Sequence, residues 1–422
     1  DFMKAGVAAG AMGSVAGCSA LTGGDGSAGS QSTPSGSGAS HTVEPGEHDE
    51  YYGFWSGGHS GELRVIGIPS MRELTRIPVF NTDCASGYGF TDGTQELLEE
   101  GGGYSWGDNH HPNLSETDGD YDGEYLYVND KANGRMARVN LKYLETDAIT
   151  DIPNMQACHG CSIQSPDTKY VYGVGEFRIP VPNDGTNVEN TDEHWSVFTA
   201  LDPESMEVEW QIRVTGNLDN ADSGKEGKWA FATGYNKEEA LEIEGMTHDD
   251  RDYLKAFDVE AIEAAMENGQ AEMVNGVPVL DGRKGSSLNE NGDPLVHYIP
   301  TPKSPHGCDV EPRGKYVTAS GKLSPTVTIV EIDKIKEVDD PKDAIVGRPK
   351  VGLGPLHTTW DGRGHGYTTL FIDSQVAKWD VDKAVEAEAE SEEPIVGKVD
   401  VHYNPGHLQA CEAETTDPAG DW

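Results

Sequence analysis

Ser304 to Pro325 reads SPHGCDVEPRGKYVTASGKLSP. His306 stands between Pro305 and Gly307, which predicts irregular backbone. Glu311-Pro312-Arg313-Gly314 predicts a turn, and Lys315-Tyr316-Val317-Thr318-Ala319 has the β-branched and aromatic content of a strand. The stretch reads as a loop that carries a histidine into a strand.

The same layout recurs. His111, His159, His306 and His357 precede Tyr125, Tyr170, Tyr316 and Tyr367 by 14, 11, 10 and 10 residues, and His407 follows in NPGH. The intervals between these five histidines are 48, 147, 51 and 50 residues. A period near fifty with a turn and a strand in each unit predicts an all-β fold, a β-propeller. Equivalent positions in successive blades lie on a ring about the axis, so one histidine per blade converges on a point. Clustered imidazoles suit copper or zinc, and His110 beside His111 adds another nitrogen. Each histidine alone reads as an ordinary loop residue; five at matched places read as a metal site.

Composition narrows the function classes. Asp+Glu number 73 against 31 Lys+Arg, a formal charge of −42. Nucleic acid and anionic lipid both need basic contacts, so neither is an expected partner. Acidity without a basic half matches proteins of salt-loving organisms. Six cysteines do not form a dense disulfide framework. Cys158-His159-Gly160-Cys161 is not C-x-x-C-H, so it is not a haem attachment site. It reads as a disulfide or as buried thiols; structural zinc would need a second ligand pair.

Residues 1–18 resemble a secretion-signal remnant. Asp1-Phe2-Met3-Lys4 looks like the tail of a twin-arginine motif, and Val15-Ala16-Gly17-Cys18 looks like a lipobox, with Cys18 either a lipid anchor or incidental. The expected location is the periplasm or the outer face of the membrane. Residues 19–50 form a Gly/Ser-rich tether, and 51–422 the propeller. Strands are expected at Glu62–Pro69, Ile77–Phe80, Arg135–Leu141, Trp195–Pro203, Val208–Val214, Thr326–Asp333 and Thr368–Val381. Ser115–Glu124 has Asp118, Asp120, Asp122 and Gly123 at calcium-loop spacing, but Asn129 stands where the last glutamate belongs, so it reads as an acidic turn. Lys255–Gly269 has helical periodicity and ends at Asn268-Gly269. As an insertion it leaves two blades, not three, in the 147-residue interval.

Several long motifs resemble one family. YYGFWSGGHSGELRVIGIPSMRELTRIPVFN, DNHHPNLS, GEYLYVNDKANGRMARVNL, SPHGCDVEPRGKYVTASGKLSPTV, GPLHTTWDGRGHGYTTLFIDSQVAKW and VHYNPGH are similar to nitrous-oxide reductase from about Tyr51 onward. The resemblance implies a seven-bladed propeller holding a tetranuclear copper–sulfide cluster that reduces nitrous oxide to dinitrogen and water. It implies ligands at His110, His111, His159, His306, His357 and His407, and not at His402, His365, His248, His194 or His297. It implies a calcium site at Tyr235, Glu238, Met246 (through its carbonyl) and Asp252, with Ser304 where the family has an asparagine. A head-to-tail homodimer and a cytochrome c or small blue-copper electron donor are implied as partners.

Against the family pattern, a seventh ligand histidine and the C-x-x-x-C motif of a dinuclear copper centre are not found in these 422 residues. The expectation is a fragment at both ends, its cupredoxin domain outside this chain, inactive alone. Two rival functions stay open: a non-catalytic extracellular propeller that binds calcium or protein partners, and a zinc hydrolase on the same scaffold. Copper content separates them.

Overall fold

The computed structural model describes residues 42–236, 240, 242–247, 251–285 and 292–420. The chain divides into two units, Asp1–Ser40 and His41–Trp422. The first, with the signal remnant and Cys18, lies outside the described residues.

The second unit is a propeller of antiparallel sheets. Each blade starts with an innermost strand: Asn109–Thr117, Cys158–Ile163, Ala221–Ser223, Pro305–Val310 and Pro355–Trp360. These five pack one against the next in chain order, and so surround an axis. From each, the chain steps outward strand by strand, as in Pro305–Val310, Tyr316–Gly321, Val327–Glu331 and Ile345–Gly347. A three-stranded sheet, Tyr51–Ser56, Glu62–Ile68 and Glu73–Pro78, precedes them and is bridged to the first blade at Gly58 and Asn109.

Second strands are buried at every position in Val171–Gly175, Trp229–Gly234 and Tyr316–Gly321. Each is sandwiched between neighbouring blades. Their sequences therefore run apolar and small throughout instead of alternating, the pattern of strands covered on both faces. One core shows the sandwich: Phe231, Leu254 and Ile299 of one blade pack on Val310, Val317 and Val330 of the next. Near the axis the backbones approach so closely that side chains must vanish. A Cβ on Gly307 would sit 2.1 Å from the Leu356 carbonyl oxygen.

Seven blades were expected; five blades and the three-stranded sheet are present among the described residues. The 147-residue interval holds two blades, because its spare length is an insertion. That insertion contains helix Val259–Glu267 and the hairpin Glu272–Val274/Val277–Asp281, which adds a parallel edge to Val208–Val214 of the preceding blade. The helix starts at Val259 rather than Lys255. Tyr253–Asp258 is a strand, paired on both sides by Trp229–Gly234 and Val296–Pro300, and two ladders outweigh helical propensity. Asp258 caps the helix, accepting from the Ala261 N–H at 3.2 Å.

Other expectations shift locally. Ile77–Phe80 joins the strand Glu73–Pro78 only at Ile77 and Pro78. Thr368–Val381 is two strands, His365–Leu370 and Gln375–Asp380, because the chain reverses at Phe371–Ser374. Ser115–Glu124 is a hairpin turn. Asp118 and Gly119 both have positive φ (55° and 80°), the geometry that reverses two strands tightly. Cys158 and Cys161 are free buried thiols, so the disulfide alternative falls. Among the described residues no helix is long and apolar enough to cross a membrane.

Candidate metal centre

The five histidines singled out by spacing, and His110 beside His111, meet on the axis. Ring centroids are 4.7 Å apart for His110 and His111, 4.9 Å for His110 and His159, and 5.7 Å for His159 and His306. The circuit closes through His306–His357 at 4.7 Å, His357–His407 at 4.6 Å and His407–His111 at 4.5 Å. Nitrogens of His110, His111 and His159 all lie within 4.8 Å of one another, as do those of His111, His357 and His407.

The backbone that aims them is not the loop expected. His306 lies in the strand Pro305–Val310, whose register with Tyr316–Gly321 shifts between Pro305 and Cys308. The blades of His110, His159 and His357 shift at the corresponding place. A bulge re-aims a side chain within an otherwise paired strand. The effect is clearest at His110 and His111. Consecutive strand residues normally point to opposite faces, yet both enter the cluster, with His111 held at φ 23°. Such strain persists only where the surroundings fix it. His407 comes from the segment after the last strand. Thr369 Oγ1 donates to Gly406 O at 2.7 Å, and the Ala410 N–H donates to Thr359 Oγ1 at 3.0 Å, fixing the approach.

Behind the rings lies a partner set that sequence reasoning missed. Asp219 is fully buried. Its Oδ2 accepts from His306 Nδ1 at 2.5 Å, and its Oδ1 lies 2.5 Å from His159 Nδ1. With its proton on Nδ1, the His306 ring presents a bare Nε2 inward, while His159 Nδ1 meets the second oxygen as a close contact without hydrogen-bond geometry. Asn129 Nδ2 donates to the carbonyls of Cys158 and His159, tying the CHGC strand to its neighbour blade. A signal for Asp219 existed: the blade between His159 and His306 contributes no histidine, and Asp219-Asn220 precedes its innermost strand where one would stand.

Electrostatics keep the rings neutral. Burial, then the neighbouring imidazoles, holds His110, His111 and His357 well below the usual histidine range and His407 down to about 4. Burial also lowers His306, with Asp219 opposing. Asp219 stays ionised: burial would raise it, but His306 and His159 outweigh that. Neutral imidazole is the metal-binding form. His111 Nε2 and His357 Nε2 are buried without a partner, and such atoms are costly unless something binds them. His111, His357 and His407 line a cavity of about 850 Å³ on the axis. An all-imidazole set with orphaned inward nitrogens fits a copper-type centre.

The other histidines stay out. His365 pairs with Asp361, His194 with the Asn187 carbonyl, His297 packs on Trp229, and His402 is exposed. His248 lies outside the described residues. Of the expected calcium ligands, Tyr235, Asp252 and Ser304 are buried and Met246 is exposed. Asp252 accepts from the Asn236 N–H at 2.6 Å and the Ser304 N–H at 2.8 Å, while Asn236 Nδ2 donates to Gly245 O at 2.7 Å. These bonds gather the neighbours of all four residues into one region. Glu238 lies outside the described residues.

Known proteins resemble this chain in sequence and fold. Residues 152–220, which hold His159 and Asp219, match the family model for nitrous oxide reductase propeller repeat 2. The chain is 49% identical over 390 residues to the nitrous-oxide reductase of Stutzerimonas stutzeri, covering 90% of this chain and 61% of that protein. The Pseudomonas fluorescens enzyme gives the same figures, and that of Ralstonia nicotianae is 41% identical, with 62% of its length covered. The chain thus spans about six-tenths of the curated relatives it matches. Among solved structures, hydrazine synthase of Kuenenia stuttgartiensis shares the fold alone, with TM-score 0.54 at 13% identity over 87% of this chain and 86% of that one. Over nine-tenths of its length the chain is similar to the nitrous-oxide reductases, and its residues 152–220 match their propeller repeat 2.

Proposed function

We propose that the six-histidine centre holds a tetranuclear copper–sulfide cluster and that the protein reduces nitrous oxide to dinitrogen and water. The observation that carries the reading is six imidazoles converging on one axis, with His111 Nε2 and His357 Nε2 buried and unpartnered. His110, His111, His159, His306, His357 and His407 would be the protein's ligands. When bound, such a cluster supplies several reduced coppers that give two electrons to an inert, linear substrate.

The chain's own residues do the rest. Asp219 fixes the tautomer of His306 and lies against His159 Nδ1. Gly307 lets two blades close to contact beside the centre. The blade cores pack around His159 and His357, which are buried. Electrons would come from a cytochrome c or a small blue-copper protein, through a dinuclear copper centre carried by a cupredoxin domain in a head-to-tail homodimer. Export by a twin-arginine route, lipid anchoring at Cys18 and adaptation to concentrated salt belong to the same reading. So does a calcium ion held by Tyr235, Glu238, Met246, Asp252 and Ser304, bracing the insertion against the propeller.

The test is copper and acid-labile sulfide content of the purified complete protein, with isotopically labelled dinitrogen measured from labelled nitrous oxide. Several coppers with sulfide and labelled product support the reading. One or two zinc ions, or no metal, overturns it.

A further inference from the structure

The axial cavity has a second lining. Asp222, Asp309 and Glu414 face the same space as His111, His357 and His407. Asp222 and Asp309 sit on the innermost strands Ala221–Ser223 and Pro305–Val310, and Glu414 on the segment after His407. At the histidine end of the cavity, His357 is 6% exposed and its Nε2 has no partner. We propose that Glu414, with Asp222 and Asp309 beside it, is a proton-loading group that supplies the histidine centre through this cavity.

The inference rests on the nitrous-oxide reading and completes its balance. Nitrous oxide, two protons and two electrons give dinitrogen and water: the N–O bond breaks, the oxygen leaves as water, and a one-electron donor protein supplies the electrons in turn. The ligand imidazoles have no proton to give. Burial keeps His110, His111, His357 and His407 neutral, and the Nδ1–H of His306 is held on Asp219. The protons must arrive from another wall of the same cavity.

Glu414 is placed for that. From the neighbouring elements it is faced by Glu116, Tyr121, Cys161, Asp222, Lys225 and Asp309. Lys225 is the cation among them, and its Nζ donates to the Glu414 backbone carbonyl. Four carboxyls around one ammonium cannot all be ionised in a buried space. The other three are engaged elsewhere. Glu116 accepts from Ser165 Oγ at 2.6 Å, Asp222 from the Val310 N–H at 2.6 Å and the Ser223 N–H at 2.7 Å, and Asp309 from the Thr358 N–H at 3.1 Å. Glu414 Oε2 meets the Tyr121 hydroxyl at 3.5 Å, a long contact that leaves it available. Burial and then the Asp222 charge raise the Glu414 carboxyl to about 7, with Lys225 opposing, so it loads and unloads a proton near neutrality.

Two measurements on the complete protein test this. Infrared titration of the metal-free form should show a protonated carboxyl that ionises near neutral pH and is absent in Glu414→Gln. In the copper-loaded form, with reduced viologen as donor, wild-type turnover should fall as pH rises through about 7. Glu414→Gln should lose that pH dependence and at least about tenfold in kcat, and Glu414→Asp should restore part of both. A merely structural glutamate would leave the profile's shape unchanged in Glu414→Gln. That shape, or a Glu414 carboxyl ionised throughout the neutral range, overturns the proposal. If copper-loaded wild type reduces no nitrous oxide, the functional reading fails, and the infrared titration alone decides whether Glu414 loads a proton.

Discussion

Replacing Asp219 by asparagine removes one oxygen's worth of acceptor from two ligands at once. The wild-type carboxylate takes His306 Nδ1 and His159 Nδ1 on separate oxygens, each at 2.5 Å. Asparagine keeps one acceptor and turns an NH₂ group toward the other ring. That ring must then move its proton to Nε2, where it blocks a metal. Loss of an outer partner of this kind costs about 10- to 100-fold in metal affinity, or roughly 1.4–2.8 kcal/mol. The upper end is expected, since one residue orients two ligands. The assay is copper competition against a chelator of known affinity, with thermal unfolding of the metal-free protein as control. Asp219→Ala should be worse in that control, because the buried His306 Nδ1–H loses its acceptor, at about 1–3 kcal/mol. A folded Asp219→Asn protein with wild-type copper affinity would refute the reasoning.

Gly307→Ala should destabilise the fold by about 1–3 kcal/mol and impair metal loading, since its Cβ meets the Leu356 carbonyl at 2.1 Å; denaturant midpoints check it. The Glu414 carboxyl is raised by folding from 4.5 to about 7, so its stabilising contribution is present at low pH and lost as pH rises across that window. Glu414→Gln should therefore gain stability relative to wild type above pH 7, and parallel melting curves against pH would expose the error if the difference stays constant. Chelation should lower the melting temperature of a calcium-loaded sample, and Asp252→Asn should remove that difference; equal melting with and without calcium sinks the site. With a formal charge of −42, the melting temperature should rise steeply with salt as carboxylate repulsion is screened, and a flat salt dependence would count against adaptation to brine.

The sequence by itself determined the repeat, and through it the centre. Strand content, a period near fifty and histidines at matched places require only local chemistry and counting, and the five rings they named, with His110 beside them, lie together. It also determined that the long interval carries an insertion, because helical periodicity at Lys255–Gly269 interrupts strand periodicity. Tertiary structure decided the rest. Tyr253–Asp258 is strand because two neighbours pair with it, which no local propensity reports. His110 and His111 point the same way only because a bulge and a positive φ break the alternation their strand imposes. Asp219 and Glu414 act through contacts 87 and 293 residues away in the chain, to His306 and Tyr121. The number of blades was likewise beyond a period alone, since equal lengths of chain serve as blade or insertion. Which one a segment becomes depends on the edges and faces its neighbours leave uncovered, and those exist only once the propeller has closed around its axis.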